Sequence, residues 1–194
     1  MKRLAVLVSG GGRSLENLAT RIAAKELEAE IGLVLSNTPT AFALERAKRL
    51  GLESVVVDHR QHADAASFSQ SVFREIDARA IDLVVLAGFL RLVILPERWL
   101  GHVLNIHPSL LPRHGGKGFY GDRVHRAVLA AGDRESGCTV HYVTNEYDRG
   151  EIVLQRRVPV LPGDDEHSLG ARVFEEERLA LPEAIRRHFT RAAH

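Results

Sequence analysis

Four aliphatic runs, residues 4–8, 31–35, 54–57 and 82–87, recur through the first ninety residues with helical-period segments between them. A run that is apolar at every position reads as a strand buried on both faces. Between the first two runs Leu15, Leu18, Ile22 and Ala23 recur at helical spacing. Residues 41–50 form a second helical segment closed by Gly51, and residues 67–80 a third, with Phe68, Val72, Phe73 and Ile76 on one face. Strand and helix in strict alternation predict an α/β chain: a central, mostly parallel sheet with right-handed crossovers and flanking helices. The second half departs from that rhythm. Residues 138–144 and 151–160 read as strands joined by the polar turn 145–150, which predicts an antiparallel hairpin. Residues 96–100 read as one helical turn and 122–131 as a helix ended by Gly132. A last helix runs from a cap at Ser168 to about His188, with a kink expected at Pro182.

The first strand runs into Ser9-Gly10-Gly11-Gly12-Arg13-Ser14 and then a helix. That order aims backbone N–H groups and a helix N-terminus at an anion. Leu15 stands at the third glycine position of a dinucleotide loop, and no Gly-Lys-Ser/Thr follows. The loop therefore suits one phosphate rather than two, or it is a glycine turn with no ligand. Residues 88–93, Gly-Phe-Leu-Arg-Leu-Val, leave the fourth strand at its C-terminal end, where they wall a flat ligand pocket or simply cap the sheet.

The second chemical signal is Val103-Leu104-Asn105-Ile106-His107-Pro108. Pro108 stops the ladder, and alternation sends Asn105 and His107 to one side of the strand end. Ligands of open parallel sheets bind at that edge. Taken alone, the pair also reads as two polar residues that satisfy local backbone. Gly115, Gly116, Gly118 and Gly121 then mark a loop mobile enough to close near such a site. His141 reads as a catalytic partner or a satisfied sheet histidine, and Cys138 as a buried structural thiol. Glu175-Glu176-Glu177 reads as a solvated acidic run.

A chain of 194 residues, 45% apolar, makes one domain or two closely joined halves. A net charge of +1 gives no reason to expect nucleic-acid or membrane-surface partners. No apolar run is long enough to span a membrane, and Met1-Lys2-Arg3-Leu4 enters a strand directly rather than forming a signal peptide. A single cysteine excludes an internal disulfide and fits a reducing cytoplasm. The histidines show no close ligand-spaced pair with a carboxylate, so no metal site is expected.

Four segments together resemble the phosphoribosylglycinamide formyltransferase family of folate-dependent enzymes. They are residues 6–14, Val85-Leu-Ala-Gly-Phe-Leu-Arg91, Asn105-Ile-His-Pro-Ser-Leu-Leu-Pro112 and Thr139-Val-His-Tyr-Val-Thr-Asn-Glu-Tyr-Asp148, in family order and spacing. The resemblance spans essentially the whole chain. It implies a Rossmann-like formyltransferase fold in a single domain, with residues 1–100 as the phosphate-binding half and 101–194 as the catalytic and folate-binding half. It implies Asn105, His107 and Asp148 as the catalytic trio. It implies Gly12, Arg13 and Ser14 at the ribonucleotide phosphate and Glu177 at the ribose. Leu90, Arg91, Leu92, Val93, Asn105 and the segment Thr144, Asn145, Glu146, Tyr147, Asp148 would line the folate pocket. The family usually writes Asp-Gly-Gly where this chain has Asp148-Arg149-Gly150, which the turn accommodates only if Arg149 keeps a negative φ. It also often places an arginine near the folate glutamate where Ala65 stands here; Arg60 and His62 are candidate substitutes.

The implied reaction is attack of an amine on the formyl carbon of 10-formyltetrahydrofolate, the co-substrate, in purine biosynthesis. Asn105 would donate to the formyl oxygen, and a protonated His107, its pKa raised by Asp148, would do the same. Asp148 would also relay the amine's proton. No covalent intermediate or metal is required. Two other readings stay open: a formyltetrahydrofolate hydrolase, in which water replaces the amine, and a non-catalytic nucleotide-binding module. The expected partners are small molecules, and a homodimer is left open.

Overall fold

The computed structural model describes residues 1–191. Its strands are β1 (Lys2–Val8), β2 (Ala29–Ser36), β3 (Ser54–Val56), β4 (Leu83–Leu86), β5 (Val103–His107), β6 (Glu135–Tyr142) and β7 (Ile152–Pro159). Its helices are α1 (Arg13–Ala23), α2 (Phe42–Arg49), α3 (Ala65–Asp77), α4 (Asp122–Ala130) and α5 (Glu166–Arg191). Short 3-10 turns occupy His59–Gln61 and Glu97–Trp99. The strands form one sheet in the order β3-β2-β1-β4-β5-β6-β7. Pairings β2–β3, β1–β2, β1–β4 and β4–β5 are parallel, whereas β6–β7 is antiparallel.

Two compact units divide the chain, Met1–Asn105 and the residues from Ile106 onward. In the first, Leu4, Ala5, Val6, Leu7 and Val8 are wholly buried, as their unbroken apolar run requires of a central parallel strand. The sheet order reverses at β1, whose neighbours are β2 on one side and β4 on the other. Helix α3 begins earlier than its apolar stripe suggests. Asp64 accepts from Ser67 N at 2.7 Å and closes a capping box, adding a turn ahead of Phe68.

In the second unit α5 packs on β6, β7 and α4 through Leu169, Val173, Leu181, Ala184 and Ile185. The cap of α5 is Asp165, which accepts from Ser168 N at 2.7 Å. Ser168, the expected cap, sits three residues on and returns its hydroxyl to the Asp165 carbonyl. Pro182 lies inside the helix, which continues to Arg191. Strand β6 starts at Glu135, ahead of the expected Cys138, because Gly137 belongs to the ladder: a Cβ there would lie 2.0 Å from the Arg156 carbonyl of β7. Among the described residues no helix is long and apolar enough to cross a membrane.

Candidate active site

Strand β5 carries Asn105 and His107 two residues apart, so both project to the same face. Asn105 pairs in register with Leu86, the last residue of β4. The segment after Pro108 is held by one buried hydroxyl. Thr139 Oγ1 of β6 donates to the Ser109 carbonyl at 2.6 Å and accepts from Leu111 N at 3.0 Å and Gln155 Nε2 at 2.9 Å. That fills the one donor and two acceptor positions a threonine hydroxyl has. Gln155 also donates to the Leu111 carbonyl at 2.9 Å. The strand end that presents His107 is therefore fixed from β6 and β7.

His107 is 4% exposed. Its Nε2 lies 2.9 Å from the His114 carbonyl, an acceptor only, so Nε2 carries the proton. Nδ1 faces Asp148 Oδ2 at 3.6 Å. The other carboxylate oxygen, Oδ1, lies 3.5 Å from His141 Nε2. His141 Nδ1 donates to the Tyr142 carbonyl at 2.9 Å, so this ring too turns its second nitrogen on Asp148. Gly116 N completes the cluster by donating to Asp148 Oδ2 at 2.8 Å. One carboxylate thus stands between two imidazoles, each with a nitrogen able to take a proton. Such a group can hold a proton and pass it on.

The electrostatics correct one expectation. Burial pulls the His107 pKa below its ordinary value, and the nearby Asp148 carboxylate only partly opposes that. The ring is therefore neutral at neutral pH, not the imidazolium expected from its neighbour alone. Burial works to raise the Asp148 pKa, but His141, His107 and the Gly116 N–H together hold it below the usual carboxylate value.

Tight backbone geometry brings these groups together. Asp148 and His114 both take left-handed φ, 54° and 53°. A Cβ on Gly150 would lie 1.6 Å from the Tyr142 carbonyl, and one on Gly115 would lie 3.3 Å from Asp148 Cβ. Arg149 is not among the positive-φ residues, so the turn accepts an arginine there. A register shift in the β6–β7 ladder falls between Val140 and His141, leaving Val153 as the extra residue beside the histidine that reaches Asp148.

The other expected residues take these places. Gly12 adopts φ 75° as the N-cap of α1, and a Cβ there would meet Ala43 Cβ at 2.6 Å, so no other residue fits. Arg13 and Ser14 open α1, whose N-terminus no side chain caps. Ala43 N donates to the Gly10 carbonyl at 2.9 Å and Arg46 Nε to that of Gly11 at 2.8 Å, which fixes the loop ahead of α1. In the following loop Leu90 N donates to Ser9 Oγ at 2.8 Å and Arg91 reaches His59; Leu90 is exposed, Leu92 half-buried and Val93 buried. Thr144 is half-buried at the head of the Asn145-Glu146-Tyr147 turn, which it braces from its hydroxyl to Glu146. The glutamate run of α5 divides: Glu175 pairs with Arg178 and Glu176 with Arg156, while Glu177 is half-buried and acts on Cys138. The His114 carbonyl, the Gly116 N–H and the Gln155 clamp leave no signal in the sequence. Only His141, on the strand before the turn, carried a signal. Among the described residues no group of three or more His, Cys, Asp or Glu could hold a metal ion.

The formyl transferase family model matches residues 2–185. The chain belongs to the formyl transferase family. The trifunctional purine biosynthetic protein adenosine-3 of Drosophila melanogaster is 42% identical over 188 residues, which are 95% of this formyl transferase and 14% of the fly protein. The chain spans less than a fifth of such multifunctional relatives, 13% of one from another fly and 18% of the chicken one. The phosphoribosylglycinamide formyltransferase of Escherichia coli is 36% identical over 184 residues, 94% of this chain and 84% of that protein. The crystal structure of glycinamide ribonucleotide transformylase 1 from Symbiobacterium toebii superposes with a TM-score of 0.89 at 37% identity, covering 96% of this chain and 86% of that one.

Proposed function

We propose that this formyl transferase moves the formyl group of 10-formyltetrahydrofolate to the amine of 5′-phosphoribosylglycinamide. The products are 5′-phosphoribosyl-N-formylglycinamide and tetrahydrofolate, in cytoplasmic purine biosynthesis. The observation that carries the reading is the Asp148 carboxylate set between His107 and His141, on a chain similar along its length to phosphoribosylglycinamide formyltransferases. In this reading the backbone of Gly12, Arg13 and Ser14 binds the phosphate and Glu177 the ribose hydroxyls. Leu90 to Val93, Asn105 and Thr144 to Asp148 contact the folate. The partners are small molecules, and none of the chemistry requires a metal.

The amine attacks the formyl carbon, the bond from that carbon to the folate nitrogen breaks, and the amine loses a proton. Negative charge grows on the formyl oxygen meanwhile. The Asn105 amide stabilises it, and one such fixed donor is worth about 2.7–4 kcal/mol. His107 enters neutral, with its Nδ1 directed at Asp148. The proton shed by the amine passes to the His107–Asp148–His141 group, where a protonated Nδ1 becomes a second donor to the oxygen, and is then handed to the folate nitrogen as its bond to the formyl carbon breaks. Hydrolysis has no support among the relatives named above.

The test follows labelled formyl from 10-formyltetrahydrofolate. The expected result is label in the N-formyl ribonucleotide, dependent on the amine acceptor. Folded protein that yields no such product, or that releases formate at the same rate without acceptor, overturns the reading.

A further inference from the structure

We propose that His59 is a positioning residue for the formyl donor: as a neutral ring it fixes the Arg91 guanidinium without neutralising it, leaving that cation for a carboxylate of the donor's glutamate. This rests on the function proposed above. Arg91 Nη2 lies 2.6 Å from His59 Nε2. A guanidinium can only donate, so Nε2 presents its lone pair and the ring proton sits on Nδ1. Nδ1 in turn lies 2.8 Å from the Asn37 carbonyl, which accepts that proton. Asn37 is itself buried, and its Oδ1 accepts from Ser9 Oγ at 2.6 Å. The same Ser9 hydroxyl accepts from Leu90 N at 2.8 Å. Ser9, Asn37, His59, Arg91 and Leu90 thus form a closed circuit within the first unit, and the arginine is held at its backbone neighbour and at its tip. A recognition group held this way loses little freedom on binding.

Several arginines of this unit are compensated by carboxylates. Arg3, Arg46, Arg60 and Arg79 each meet a carboxylate, on Glu30, Glu16, Asp58 and Glu53. No carboxylate lies within ion-pair distance of Arg91 among the described residues, and its guanidinium is held by the His59 ring. Asp58 faces the other ring nitrogen of His59, 3.9 Å from Nδ1, and is bonded to Arg60 through both oxygens. The two candidate substitutes for an arginine at Ala65 are both engaged. Arg60 is tied to Asp58, and His62 uses Nδ1 on the Asp58 carbonyl and Nε2 on Ser71 Oγ, each at 3.0 Å. Arg91 is thus oriented by a neutral partner while no carboxylate among the described residues compensates it.

The test compares His59→Phe, which removes the acceptor, with His59→Gln, which retains one. Titration calorimetry would use tetrahydrofolate and tetrahydropteroate, which lacks the glutamate. For His59→Phe the expected result is about tenfold weaker binding of tetrahydrofolate, the scale of one hydrogen bond to a charged group. Tetrahydropteroate should bind the variant and the wild type alike, with KM for the ribonucleotide unchanged. His59→Gln should recover most of the loss. Equal weakening toward both ligands, or no rescue by glutamine, would assign His59 a general structural role and overturn the proposal. If wild type transfers formyl but His59→Phe binds tetrahydrofolate normally, the His59 assignment alone falls; if wild type transfers none, the functional reading falls first.

Discussion

Asp148 keeps its charge against burial because His141, His107 and the Gly116 N–H all face it. Replacing it by asparagine removes the charge while preserving shape, so the effect should lie in turnover. Asp148→Asn is expected to lower kcat by about 10²–10⁴-fold, the usual weight of positioned proton transfer, with little change in either KM. Steady-state kinetics decide it; a loss confined to KM would leave Asp148 a folate contact with no part in the proton transfer. Cys138 gives the opposite case, a group silenced by its surroundings. Burial, reinforced by Glu177, pushes its thiol up to about 12. Since the thiolate is the nucleophile, native protein should not react with a disulfide reagent at pH 8, and full labelling should appear only in denaturant.

The turn from Asp148 to Gly150 decides whether the carboxylate reaches the histidines. Gly150→Ala drives a methyl into the Tyr142 carbonyl and is expected to cost about 3 kcal/mol or more, with activity lost in parallel. Arg149→Gly should be benign, within about 1 kcal/mol, because Arg149 already has an ordinary φ. Denaturant melts of the two variants test this, and equal destabilisation would refute it. The same elements mark how far sequence reaches. Strands buried on both faces are legible as unbroken aliphatic runs, and strand parity alone places Asn105 beside His107. A glycine inside a ladder is not legible, since Gly137 looks like a breaker until the Arg156 carbonyl is seen against it. Nor does spacing disclose that His114 and Gly116 turn their backbone toward His107 and Asp148, because left-handed φ at His114 comes from tertiary packing. The sign of the His107 shift was equally hidden: the neighbouring carboxylate is suggested by motif, but the depth of burial that outweighs it is not.

For the molecule as a whole, two buried histidines set the acid limit of stability. His107 and His125 both titrate below the ordinary value of 6.5, burial being the main cause in each. The unfolded chain then binds protons near pH 6.5 that the folded chain still refuses. Stability is therefore complete above that pH and declines as pH falls from 6.5 toward the folded values. Asp148 works in a separate window, since its lowered pKa removes stability only as pH falls below 3.8. His125 isolates the effect, because it lies outside the proton-holding group and its Nδ1 has no partner among the described residues. Changing it to an apolar side chain forfeits no Nδ1 bond while removing one titrating group. His125→Leu is expected to flatten the decline between pH 6.5 and 5 by up to about 1.4 kcal/mol per pH unit, the linkage of one proton, and to leave stability at pH 8 nearly unchanged. Denaturant unfolding across that range measures the slope. A variant as acid-labile as wild type would show that His125 is protonated in the folded state as readily as in the unfolded chain, and would move the acid limit to His107 alone.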